Sequence, residues 1–282
     1  MHIQFRVFAP DVDATPPTAY VRIWNLKTQT AEQVRNEFDT VTLQAGYDEV
    51  GTIFEGTIVQ TKRGAANATD RYLDIMASDL DLFRNFTIVN QTLAAGANQK
   101  DVYDAIVKAG GDNVKTGSVP SDLGTGGTLP RGKVLFGMGR EVMTGVAKNT
   151  DTTWFSQNGK INLVKTRGYL PGEIVVLNQN TGMIGVPETT NDGVEVKCLI
   201  NPKIQVGCRV KIDNAQIANA KVNRDVADPR VSSMFPASLS GDGTYRVLVV
   251  EHVGDNRGTT YESTLTCLAV DASASLGSSV AT

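Results

Sequence analysis

Apolar and polar residues alternate with a period of two at both ends of this 282-residue chain, and no other feature constrains its fold as tightly. Successive side chains leave a strand on opposite faces, so such alternation marks strands with one buried and one wetter face. Tyr20-Val21-Arg22-Ile23-Trp24, Val41-Thr42-Leu43 and Ile53 to Val59 read as strands in this way. Residues 52–77 read as one long hairpin, out through Ile53 to Val59, over the polar tip Lys62-Arg63-Gly64-Ala65-Ala66-Asn67, and back through Arg71 to Ala77. Thr30 followed three residues later by Gln33 has capping-box spacing, which predicts a short helix between the early strands.

The pattern changes near residue 92. Val102, Ala105, Ile106 and Ala109 recur at helical spacing, and Gly110-Gly111 follows them, which predicts a helix over 99–109. The stretch 116–132 is rich in Gly, Ser, Thr and Pro and reads as a mobile loop. A second helix is predicted over about 138–148, and Asn158-Gly159 is a strong signal for a tight hairpin behind it. Strands return from residue 170, ending with Tyr245 to His252 and Tyr261 to Val270; between them 214–244 has little periodicity. The class is therefore α+β and β-dominated, divided as a β domain over 1–91, a small αβ module over 92–165 and a second β domain over 166–282 with a long loop at 214–244.

The two β ends echo each other. Val41 to Leu43 precedes a hairpin whose return ends Ala77-Ser78-Asp79, and Val210 to Ile212 precedes one whose return ends Ala269-Val270-Asp271. Chance likeness between hairpins and a true duplication are equally compatible with this echo, since no fixed-period repeat accompanies it.

Composition narrows the function. A formal net charge of −3 lacks the cationic excess that gripping a phosphate backbone requires, so nucleic acid is not an expected partner. The longest apolar runs, such as Ile174 to Leu177 and Val247 to Val250, are far shorter than the roughly 20 residues of a membrane span, and Met1 to Arg6 does not read as a signal peptide. Cys198, Cys208 and Cys267 are odd in number and lie in strand-like segments without a CxxC pair, which favours buried reduced thiols over a metal site. With only two histidines, His2 at the terminus and His252 expected at a hairpin edge, most acid–base and metal schemes lack their usual residue.

No GxSxG, HExxH or Walker loop occurs, and Gly124-Thr125-Gly126-Gly127 lacks the following lysine of a phosphate cradle. A carboxylate pair is the remaining route to hydrolysis, and Asp79 with Asp81 is the tightest candidate, though acids two apart on a turn are more often solvated or capping. Lys62 and Arg63 read as a wet hairpin tip. A carbohydrate platform is disfavoured because Trp24 and Trp154 both fall in strand patterns, where core is the usual role.

Tyr20 to Leu26, then Val41-Thr42-Leu43-Gln44-Ala45-Gly46-Tyr47, then Gly51 to Ile58 form an ordered set of motifs that continues through Gly182 to Pro187, Asp192 to Val196, Asn201 to Gly207 and Tyr245 to Asp255. In order and spacing this set resembles the baseplate hub proteins of phage tails, the late control protein D-like family. The resemblance implies two tail-tube-like β-barrels flanking the αβ module. It further implies a homotrimer whose six barrels form a ring between a sixfold tail tube and a threefold central spike, without catalytic, cofactor or metal residues. Residues around 39–77 and 207–270 would build the ring wall, and 116–132 and 214–244 would reach other baseplate proteins. Met234-Phe235-Pro236, apolar residues within the second of these loops, are the expected interface residues, with a loop folded against its own domain as the equally weighted alternative. The location implied is the virion tail, assembled in the host cytoplasm. A tail-borne cell-wall hydrolase using acidic residues is the alternative.

Overall fold

A computed structural model describes residues 1–11, 15–47, 49–190, 193–213, 217 and 240–269. The first part of the chain forms β1 (His2–Pro10), β2 (Thr18–Trp24), α1 (Thr28–Asn36), β3 (Thr40–Ala45), β4 (Gly51–Ala65) and β5 (Arg71–Ser78). The middle holds α2 (Asp81–Phe86), β6 (Ile88–Leu93), α3 (Gln99–Ala109), β7 (Lys115–Thr116), β8 (Lys133–Met138), α4 (Gly139–Asn149), β9 (Thr152–Gln157) and β10 (Lys160–Lys165). The last part forms β11 (Val175–Leu177), β12 (Met183–Thr190), β13 (Gly193–Leu199), β14 (Arg209–Ile212), β15 (Thr244–Asp255) and β16 (Tyr261–Ala269). The class is the α+β, β-dominated one expected.

The ends share one topology. Strands of the first part lie in the order β1-β2-β5-β4-β3, and those of the last in the order β12-β13-β16-β15-β14. The likeness extends to single residues. The β4–β5 pairing skips Val59 and the β15–β16 pairing skips Leu248. Each skipped residue lies seven positions before the one whose N–H closes the hairpin tip, Ala66 to the Asp70 carbonyl and Asp255 to the Thr260 carbonyl. A bulge at a matching place in two hairpins is a designed feature of a strand rather than noise. It makes Ala77, opposite Ile58, the counterpart of Cys267, opposite Val247. The sequence echo was therefore aligned two residues out: Asp79 corresponds to Ala269, and the shared Ala-x-Asp endings are not equivalent.

Among the described residues the expected closed barrels are replaced by one open sheet of eleven strands. The reason lies in the lengths of β14 and β15. β14 covers only Thr244 to Arg246 of β15, which leaves Val249 to Asp255 with an open edge, and β1 fills it, pairing Pro10 with Val249 through to Gln4 with Asp255. On its other side β1 pairs with β2. Backbone groups that a closing barrel would satisfy within itself are satisfied by the neighbouring half instead.

Three apolar clusters fill the interior. Phe5, Val7, Val21, Phe54, Leu73 and Ile75 anchor the first; Phe83, Tyr103, Ile106, Met143, Trp154 and Leu163 the second; Val196, Ile204, Val210, Val247, Leu265 and Cys267 the third. The middle cluster rests on sequence signals read correctly. α3 runs from Gln99 to Ala109, with Asn98 and Asp101 forming a reciprocal capping box. Asn158 and Gly159 both take positive φ, 52° and 74°, as the tight turn between β9 and β10 requires. The Thr30–Gln33 capping box is absent: α1 starts earlier, at Thr28, with Lys27 as an N-cap that makes no side-chain bond. Nor does 116–132 hang loose. Leu123 is buried in the middle cluster, the Ser118 N–H donates to Asn162 Oδ1, and Leu129 exchanges backbone bonds with Gly96 and Ala97.

Candidate assembly interface

Arg246 on β15 ties the three parts of the chain together. Its guanidinium donates through one terminal nitrogen to the carbonyls of Lys165 (3.0 Å), Thr166 (3.4 Å) and Gly168 (3.1 Å), at the end of β10 and just beyond it. The other nitrogen donates to the Asp11 carboxylate, directly after β1, and to Thr153 Oγ1 at 3.0 Å. Both charged side chains are buried. Burial pushes the Asp11 carboxyl above its ordinary range, against the opposing pull of Arg246. A planar fork with several fixed donors suits such a convergence of carbonyls and a carboxylate.

A second seam joins β5 and α2 to the β9–β10 hairpin. Asp79 is buried, accepts the Gly159 N–H at 2.9 Å, and has its carboxyl pushed up to about 6 by desolvation. Lys115 pairs with Glu55 at 3.7 Å across the same cleft. Asp81 belongs elsewhere: it opens α2, accepts from Asn85 Nδ2, and lines a groove of about 490 Å³ with Arg6, Tyr20, Val59 and Met76. The two carboxylates proposed as a hydrolytic pair thus line different clefts, and Asp79 is neither solvated nor a cap.

Other sequence expectations also move. His252 is buried rather than at an edge, with Nδ1 2.7 Å from Ser263 Oγ, and desolvation lowers its pKa to about 4. His2 lies 2.7 Å from Asp255 and stacks on Trp24. Trp24 is only half-buried, whereas Trp154 is a core side chain whose indole N–H reaches Thr144 at 3.0 Å. Arg63 is not merely wet: it pairs with Glu32 at 3.0 Å, while Lys62 is exposed. The three cysteines are free, and burial pushes the Cys198 thiol up to about 12 and that of Cys208 to about 11. Met234, Phe235 and Pro236 lie outside the described residues.

What the surface does offer is unfinished sheet and exposed apolar faces. β12 and β3 are the end strands of the long sheet, each paired on one side only among the described residues. The β6–β8 ribbon, which pairs Ile88 with Met138 and Thr92 with Val134, exposes Ile88, Val134 and Phe136, the last 75% accessible. Contiguous apolar faces of this kind mark sites of protein contact. Neither Ile88–Leu93 nor Lys133–Met138 alternates cleanly between apolar and polar residues, so the sequence announces neither the ribbon nor the face that its own core leaves bare. Among the described residues no cluster of His, Cys, Asp and Glu could hold a metal, and no helix is long and apolar enough to cross a membrane.

Residues 156–226 match the family described as baseplate hub gp41, about a quarter of the chain. The 43 kDa tail protein of prophage MuSo2 from Shewanella oneidensis superposes with a TM-score of 0.58 at 9% identity, over 98% of this chain and 95% of that one. A tail protein from Neisseria meningitidis gives 0.56 at 9% identity, over 94% and 91%. The fold is that of these tail proteins. A further neighbour is an Escherichia coli protein described as a type VI secretion component similar to the T4 tail proteins gp27 and gp5, with a TM-score of 0.55, 8% identity, and coverage of 96% and 74%. No curated protein matches the chain by sequence. The hub resemblance seen in the motifs from Tyr20 to Asp255 thus agrees with the fold and with the matched segment.

Proposed function

We propose that this chain is a structural hub subunit of a phage tail baseplate, three copies of which form a pseudo-sixfold ring between the sixfold tail tube and the threefold central spike. The observation that carries this reading is the repeated strand order, 1-2-5-4-3 and 12-13-16-15-14, within one polypeptide. Two equivalent sheet units per chain turn a threefold assembly into six similar faces, which is what a junction between sixfold and threefold bodies needs. The seam between β1 and β15 is then the template for every junction in the wall. Its location is the virion tail, assembled in the host cytoplasm, with other baseplate proteins around it.

The role is mechanical rather than enzymatic. Asp79 and Asp81 in separate clefts do not present the two facing carboxylates that glycoside hydrolysis uses. Incubation of the purified chain with peptidoglycan is expected to release no sugar or peptide; release that Asp79→Asn or Asp81→Asn abolishes would replace this reading with the hydrolase. Sedimentation of the chain alone and with tube and spike proteins tests the ring itself, and a trimer is expected.

A further inference from the structure

β1 and β12 hold the same place in the two repeated units, as do β15 and β4, yet only one of these relations is completed inside the chain. β1 covers Val249 to Asp255 of β15. Aligned by their bulges and hairpin tips, the corresponding stretch of the other unit is Gln60 to Ala66, and among the described residues that stretch of β4 pairs only with β5. Burial records the missing strand. Leu248 is 7% exposed and its counterpart Val59 57%; His252 is buried and its counterpart Arg63 exposed. β12, the counterpart of β1, pairs only with β13 among the described residues.

We infer that β12 of a second copy of this chain lies antiparallel on residues 60–65 of β4, with Thr190 opposite Lys62 and Glu188 opposite Gly64, repeating between chains the seam that β1 and β15 make within one. The register comes from tracing partners through both units. Thr190 pairs with Gly193 as Phe8 pairs with Thr18, and Glu188 pairs with Glu195 as Arg6 pairs with Tyr20. Phe8 faces Glu251 and Arg6 faces Val253 in the internal seam, and Glu251 and Val253 correspond to Lys62 and Gly64. Between Ile184 and Glu188, β12 carries two residues more than β1 does between Gln4 and Arg6, so the seam is anchored at the Glu188–Thr190 end.

Charge supports this occupant. Across the internal seam Arg6 Nε donates to Glu251 at 2.5 Å. The corresponding residues of the seam between copies are Glu188 and Lys62, both exposed, so the pair is conserved with its signs exchanged. The exchange also separates the two seams. β12 placed on β15 would bring Glu188 against Glu251, and β1 placed on β4 would bring Arg6 against Lys62, so each strand is repelled from the wrong edge.

The inference rests on the proposed ring, and the test distinguishes the two. Sedimentation of the full chain is expected to show Lys62→Glu and Glu188→Lys each weakening self-association about tenfold, and the double exchange restoring it, as cross-strand charge pairing implies. Lys62→Cys combined with Thr190→Cys is expected to oxidise to a covalent ladder up to the trimer, with neither single variant doing so. A trimer that ignores the charge variants and gives no ladder overturns this seam and leaves the ring standing. A wild-type chain that stays monomeric, alone and with tube and spike proteins, overturns both.

Discussion

Arg246 illustrates how one side chain fixes the relation between distant parts of a polypeptide. Its partners are Asp11, Thr153 and three carbonyls between Lys165 and Gly168, and the Arg246 and Asp11 side chains are themselves removed from water. Arg246→Met leaves the Asp11 carboxylate buried without a counter-charge and the carbonyls without donors. The expected loss is about 3–5 kcal/mol in urea unfolding, with Arg246→Lys intermediate because a single ammonium cannot span the fork. His252 makes a pH prediction. Its folded pKa, lowered to about 4, lies below the unfolded value near 6.5, so as pH falls through that window the unfolded chain takes up a proton that the folded chain refuses. Stability is therefore lost from about pH 6.5 downward, by about 2–3 kcal/mol at pH 4. Asp79, raised to about 6, works in the opposite direction, favouring the folded state as pH falls below 6. Comparing wild type with His252→Asn over pH 4–7 isolates the first effect: the variant's loss of stability on acidification should be smaller. Neither the Asp11–Arg246 pair nor the burial of His252 is legible in the sequence. Asp11 and Arg246 are 235 positions apart with no local pattern to link them, and a histidine near a strand end carries no mark of burial.

At the level of elements, the most local structure is the most predictable. Asn98→Ala removes the side-chain acceptor of the α3 capping box and should cost about 1 kcal/mol in thermal or denaturant unfolding. The same locality explains why α3, the β9–β10 turn and the β4–β5 hairpin could be read from the sequence: each is specified by residues a few positions apart. α1 could not be placed as well, because the Thr30–Gln33 spacing that predicts a cap falls inside the helix. The 116–132 segment misled for a related reason. Its Gly, Ser, Thr and Pro content signals irregular backbone, but irregular backbone is held firmly here by Leu123 in the core and by bonds to Asn162 and Ala97. On the β6–β8 ribbon, Phe136→Ser should change unfolding stability by no more than about 0.5 kcal/mol, since the ring is already in water. A larger loss would show that the ribbon face belongs to the chain's own core.

Over the whole molecule, the repeated strand order explains both the continuous sheet and what it leaves unfinished. Two units of one topology meet where β1 fills the edge of β15, and the matching edge of β4 stays open among the described residues. The sequence carried this repetition only as a faint echo, since equivalence resides in pairing partners and bulge positions rather than in shared residues: Ala77 stands where Cys267 does, and Lys62 where Glu251 does. Closure into barrels was implied by the resemblance to tail hub proteins; where β15 outruns β14, the other half supplies the missing neighbour. The most direct measurement of the account is the native mass of the full-length chain, alone and mixed with tail-tube and spike proteins. It should correspond to three copies of the 30.2 kDa chain, plus the mass of any tube or spike protein bound in the mixtures. A persistent monomer, or a ring of six chains, would contradict the account.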